Sequence, residues 1–188
     1  MSLTDRRTRR GGARYSADMA FDRTRTLRGA LAGSVGAAVW LASQPLDQRI
    51  FGVDYDDAEL LGRLVARGRP EAQAAGAVLH VQNGALFGAL YAQIAPSLPV
   101  HPVLRGPLAA LLEHLATWPA IALVEPSLLR NGRAFAMSTW RHLLFGAVVG
   151  ELERRLNPPA KELEPVDEAA VASNGHGSPA HLVASGPG

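Results

Sequence analysis

No cysteine occurs among the 188 residues, which excludes disulfide scaffolds, thiolate metal sites, iron–sulfur clusters and cysteine nucleophiles together. Charge is scarce too: charged residues make up 19% of the chain against 47% hydrophobic ones, so long stretches carry none. The apolar stretches lack the charged stripe, repeating every three or four residues, that a helix needs on a face turned to water. Phosphate-binding loops are missing, since Gly29, Gly33 and Gly36 open no strand–loop–helix unit and no Lys-Ser/Thr pair follows them. Ser34, Ser43, Ser138 and Thr139 sit in no glycine-flanked elbow beside a base–acid set. Nucleotide-dependent enzymology and nucleophilic catalysis are therefore disfavoured, and a non-enzymatic protein is expected.

What is present is unevenly distributed. The net charge of +2 and the mean hydropathy of +0.03 average over a basic head, an apolar middle and a polar end. Residues 1–28 carry Arg6, Arg7, Arg9, Arg10, Arg14, Arg23, Arg25 and Arg28 without sustained apolar periodicity, which predicts a flexible basic cytoplasmic arm. The basic stretch is too long for a secretory signal, and Ala42-Ser43-Gln44 is a poor cleavage match. The arginine pairs also lack the closely following hydrophobic run of a twin-arginine signal. Anionic lipid is the nearest polyanion for such an arm, at about 1 kcal/mol per basic residue at a membrane surface, and nucleic acid is not expected.

Four segments, about 29–46, 74–95, 104–125 and 134–152, are apolar enough and long enough to predict an all-α, four-helix transmembrane bundle over 29–156. Residues 157–188, rich in Pro, Gly, Ser and Ala, are expected to form a disordered cytoplasmic tail. Small residues recur at four-residue spacing: Gly29 and Gly33, Gly84 and Gly88, Gly146 and Gly150, with Gly106 and Ala110 as a weaker version. In lipid, where helices gain nothing by hiding apolar surface from each other, such faces allow the close backbone approach that dispersion requires. They also allow a homo-oligomer or a membrane partner.

Arginine counts set the expected orientation. With both termini in the cytoplasm, the inner side holds the head, Arg105, Arg154, Arg155 and Lys161, and the outer side holds Arg49, Arg63, Arg67, Arg69, Arg130 and Arg133. Trp40, Trp118 and Trp140 then fall in the outer halves of their helices, as an interfacial belt or as packing residues. The outer loop 47–73 contains Asp47, Asp54, Asp56 and Asp57, but not the ligand order, central glycine and closing glutamate of an EF-hand. Asp56 or Asp57 is expected to cap a short amphipathic surface helix with Leu61, Leu64 and Val65 on one stripe.

Polar residues inside the segments are the candidate site: His80, Asn83, Glu113, His114, Arg141 and His142. Intramembrane ionisable groups must be offset by partners, so an opposite pair on consecutive helices, Glu113 with Arg141, is the expected centre of a polar seam. The seam would steady the bundle or pass a small solute. The alternative is a haem or divalent metal held by His80, His114 and His142 with Glu113. At 1.5 Å per residue His80 and His142 lie about 9–12 Å from the outer end and Glu113 and His114 about 17–18 Å, which places them in different layers. No Glu-x-x-His pattern appears, whether any metal binds is left unknown, and no cofactor is predicted. A soluble helical interaction module is the remaining alternative.

The first span GALAGSVGAAVW, the pattern His80, Asn83-Gly84, Gly88, Tyr91, then Glu113 with Trp118-Pro119, and finally Trp140-Arg141-His142 with Phe145-Gly146 and Gly150-Glu151 resemble those of small bacterial integral membrane proteins with four spans. The resemblance covers about residues 29–156. It implies a multi-pass protein of a bacterial inner (plasma) membrane and no particular activity.

Overall fold

Caps and prolines decide where the apolar runs become helices. Asp22 Oδ1 accepts a hydrogen bond from the Arg25 N–H at 3.0 Å, Asp56 Oδ1 from the Glu59 N–H at 2.9 Å, and Asn131 Oδ1 from the N–H groups of Arg133 and Ala134, both at 3.1 Å. Each satisfies donors that the first helical turn leaves unpaired. The computed structural model describes residues 22–66 and 69–158. The helices are α1 (Arg23–Phe51), α2 (Asp57–Gly62), α3 (Arg69–Ile94), α4 (Pro102–Thr117) and α5 (Gly132–Leu156). Short 3-10 turns occupy Ala95–Ser97, Trp118–Leu123 and Pro126–Arg130, and no strand occurs among the described residues.

The protein is all-α, with boundaries that correct the expected ones. α1 begins at Arg23, so Arg23, Arg25 and Arg28 belong to a helix and not to the arm. It runs on to Phe51, where Gly52 closes it at φ 64° and donates its N–H to the Gln48 carbonyl. The third segment stops being α-helical at Thr117 because Pro119 has no N–H to continue the ladder. The expected outer loop is mostly helix: α2 does not lie free on a surface but packs on α3, with Gly62 against Ala72 and Gly76 against Ala58. The rest of the basic arm and the expected disordered tail, with His176 and His181, lie outside the described residues.

α1 packs on α3 and α5, and α5 packs on α4, giving the spatial order α3, α1, α5, α4. α3 and α4 are not packed against each other. Glycines make two of these contacts backbone to backbone. Gly29 and Gly33 of α1 meet Gly88 and Gly84 of α3, and Gly106 of α4 meets Gly146 and Gly150 of α5. A Cβ on Gly84 would lie 2.7 Å from the Ala37 Cβ, and one on Gly33 would strike the Gly84 carbonyl oxygen. At one end of the bundle Arg25 bonds the Ala92 carbonyl and pairs with Glu153, and Arg28 donates to the Leu156 carbonyl at 3.0 Å.

Buried polar groups and exposed leucine occur side by side: Asp47, His114 and Arg141 are buried beside a core that includes Trp40, Tyr91, Met137, Phe145 and Val149. The buried residues of α1 are Gly29, Ala32, Gly33, Gly36, Ala37, Trp40, Gln44 and Asp47, whereas Leu27, Leu31, Leu46 and Ile50 of the same helix are exposed, Leu27 by 72%. Leu86, Leu90 and Ile94 of α3 and Leu104, Leu112 and Leu115 of α4 also point outward. Single exposed leucines are ordinary, but exposed rows on three helices are not. Among the described residues no helix is long and apolar enough to cross a membrane, which departs from the expected spans. Glycine, alanine and polar side chains on the inward faces dilute each helix, and exposed polar residues such as Gln82 and Asn83 of α3 and Arg133 of α5 add to this.

Candidate polar centre and cleft

Arg141 lies on the inward face of α5 with Met137, Ser138 and Phe145 and is 0% exposed. Its guanidinium grips Asp47, at the end of α1, as a fork: Nε to Oδ2 at 2.8 Å and Nη2 to Oδ1 at 2.6 Å. Nη1 pairs with Asp57 Oδ2, Nη1 and Nη2 reach the Tyr55 carbonyl at 3.3 and 3.4 Å, and the Tyr55 ring centroid is 5.5 Å from the guanidinium carbon. Asp57 Oδ2 also accepts from Trp40 Nε1 at 3.0 Å. The expected Glu113–Arg141 pair is therefore corrected. Arg141 binds two aspartates of the former outer loop, and Trp40 is a buried donor to the cluster instead of an interfacial anchor.

Burial alone would raise the Asp57 carboxyl, but the Arg141 guanidinium, with hydrogen bonds from Tyr55 and Trp40, holds it below the usual aspartate range. A lowered folded-state value means stabilisation that is fully present above the unfolded value of about 3.9 and is lost as pH falls through the lowered one. The folded fraction contributed by this pairing, read as helical circular dichroism, is expected to stay constant from about pH 8 to about pH 5 and to fall only in stronger acid. A transition near neutral pH would contradict the assigned pairing.

A second cluster lies beside the first. His142 Nδ1 is 2.7 Å from the Ser138 carbonyl oxygen, which only accepts, so Nδ1 carries a hydrogen. His142 Nε2 is 3.1 Å from Glu113 Oε2. A bare nitrogen facing an ionised carboxylate would set two lone pairs together, so one proton sits between them, on either side. His114 is fixed differently. The Thr139 hydroxyl donates to the Phe135 carbonyl at 2.8 Å, so it accepts from His114 Nε2–H at 3.0 Å, and the Ser138 hydroxyl faces His114 Nδ1 at 3.5 Å. These contacts describe a neutral His114 with both nitrogens engaged. The His114 and His142 rings touch at a centroid distance of 4.4 Å, tilted by 34°, and Trp40 sets its ring edge-on to His80 at 4.9 Å and to His142 at 4.5 Å.

The histidines and Glu113 thus share one layer, contrary to the depth arithmetic. That arithmetic counted residues 118–125 as helical rise, whereas α4 ends at Thr117 and puts Glu113 only four residues from its end. Among the described residues no group of three His, Asp or Glu side chains is arranged to hold a metal ion. The touching rings of His114 and His142 leave no gap for a porphyrin plane between them.

Because α3 and α4 stand apart, a cleft opens between them, floored by α1 and α5. Its wider part, about 370 Å³, is lined by Asp57, His80, Asn83, Glu113, His114 and His142 and, over most of its surface, by apolar side chains that include Leu60, Leu64, Trp118 and Ile121. A narrow waist of about 40 Å³ shares Trp40, His80, Asn83, Glu113 and His142 with that part and ends at Phe87. Phe87 in turn begins an apolar groove of about 430 Å³ between Leu90, Ile94 and Leu98 on one side and Leu108 and Leu112 on the other. Asp47, Asp57 and Tyr55 are the site residues that sequence reasoning missed. The available signal was the run of acids directly after an apolar segment that contains no base to pair with them. Compared with protein-family models, curated proteins and solved structures, the chain matches none.

Proposed function

We propose that this chain is a non-enzymatic, lipid-embedded helical bundle of a bacterial inner membrane that holds a small solute in its α3–α4 cleft. The observation that carries this reading is the pairing of a buried polar centre, Arg141, Asp47 and His114 at 0%, 2% and 1% exposure, with rows of leucine outside. Water disfavours exposed rows of leucine, whereas lipid accepts apolar outer faces and leaves small residues to make the helix contacts. No single helix needs to be apolar throughout if its polar face is paired within an assembled bundle. Arg23, Arg28, Arg105, Arg154 and Arg155 fall at the termini of α1, α4 and α5, where anionic headgroups and the cytoplasm would meet them.

Fractionation of expressed protein tests this reading. Recovery in the membrane pellet after an alkaline wash, with release only by detergent, is the expected result. Release by the wash, or recovery without detergent, would remove it. The second reading, a helical interaction module whose leucine rows meet partner chains, is favoured by the fact that no described helix is apolar enough to cross a membrane, and it would then take its place.

A further inference from the structure

We infer that the apolar groove between α3 and α4 binds a single-chain fatty acid, its carboxylate held by Arg105 and Tyr91 and its tail lying along the two helices toward Phe87. Charge complementarity is the first argument. Arg105 stands near the start of α4, half-buried, and lines the groove. Its Nε donates to the Val100 carbonyl at 3.1 Å, which ties the side chain to the α3–α4 turn. Neither of its Nη groups has a partner among the described residues, and no acidic side chain lines the groove. Glu151 and Glu153, the carboxylates of α5 at this end of the bundle, are taken by Arg154 and Arg155 and by Arg25. The Tyr91 hydroxyl, on the same groove wall, also makes no hydrogen bond among the described residues. A guanidinium with two open amino groups matches the two oxygens of a carboxylate, and a phenol adds a further donor. An ammonium head would meet like charge there, and a hydroxyl head would leave the guanidinium without a counter-charge.

Shape is the second argument. Arg105 and the turn residues Leu98, Pro99 and Val100 close one end of the groove, and Phe87 and Leu112 lie at the other. From Arg105 to Leu112 the groove follows α4 for about 10 Å, and from Ile94 back to Phe87 it follows α3 for the same distance. That is the reach of an octanoate or decanoate tail. One aliphatic row on each helix walls the groove, which suits a single chain and not the paired chains of a phospholipid. The waist beyond Phe87, about 40 Å³, stops the tail short of the histidines, so binding asks nothing of Glu113 or His142. Burial of the tail supplies the affinity, and Arg105 supplies the preference for an acid.

Assigning an acid to this groove rests on the reading of the α3–α4 cleft as a solute site. In a lipid-embedded bundle Arg105 stands at headgroup level, where the carboxylate of an acid dissolved in the leaflet would meet it with the tail directed inward.

The test uses purified protein, in maltoside micelles where the membrane fraction supplies it, and decanoate isotopically labelled at its carboxyl carbon. Carbon NMR is expected to show a carboxyl resonance distinct from that of free or micellar decanoate, saturating at one acid per chain. Decanol should compete for the site about 10- to 100-fold less well than unlabelled decanoate. Arg105→Gln should weaken decanoate binding by a similar factor, Arg105→Lys should keep part of it, and Tyr91→Phe should weaken it about 2- to 10-fold. Should the Arg105 variants fail to fold, the decanol competition on the unsubstituted chain decides. No separate resonance, equal competition by decanol, or an Arg105→Gln protein that binds as wild type would overturn the inference. Displacement by phosphatidylglycerol at equal concentration would overturn it too, by giving the groove to a membrane lipid. A chain that resists the alkaline wash but binds no decanoate leaves the lipid-embedded reading standing and removes this one.

Discussion

Arg141→Met is expected to destabilise the fold by about 3–5 kcal/mol, because it leaves the carboxylates of Asp47 and Asp57 buried without their cation. At this chain length such a loss corresponds to a fall in Tm of about 10 °C or more, read as the temperature at which purified protein stops eluting as a single species. Removing the stranded charges should reverse most of it: the triple variant Arg141→Met, Asp47→Asn, Asp57→Asn is expected to recover the greater part of the lost Tm. Arg141→Lys should fall between, since an ammonium cannot hold the fork on Asp47 and reach Asp57 at once. A wild-type Tm for Arg141→Met would show that the cluster contributes nothing to the fold.

Gly33→Val is expected to cost about 3 kcal/mol by driving α1 and α3 apart. The new side chain would strike the Gly84 carbonyl oxygen, which is backbone and cannot rotate away. Gly84→Val meets the same contact from the other helix, through Gly33 and Ala37. The two substitutions together should therefore cost less than their sum, as neighbours sharing one contact do. Gly132→Ala is the control, because a Cβ there meets nothing within 4 Å; it is expected to leave Tm unchanged or raise it slightly. Thermal shift on the four variants checks the set, and a Gly33→Val protein as stable as wild type would show that the α1–α3 contact does not require glycine.

The helices themselves were legible before any coordinates. Apolar runs without charged stripes and the cap at Asp56 are local features, and they act through hydrogen bonds and sterics within a few residues. The glycine faces were legible for the same reason, since spacing alone places Gly29 with Gly33 and Gly84 with Gly88 on one side of a helix. What could not be read was which face meets which. Residues 141 and 142 are adjacent on α5 but point about 100° apart, so either could have answered Glu113, and only the placement of α4 beside α5 gives it to His142. Asp47 and Asp57 became the partners of Arg141 because α1 runs on to Phe51 and α2 folds back onto α3, a path set by contacts distant in sequence. The level of Glu113 depended on where α4 ends, and the cleft on α3 and α4 failing to pack. Composition and spacing settle what each helix is made of and which side is small or polar; the partners of the buried charges are settled by long-range packing, because a charge far along the chain has no local signature of what will sit opposite it.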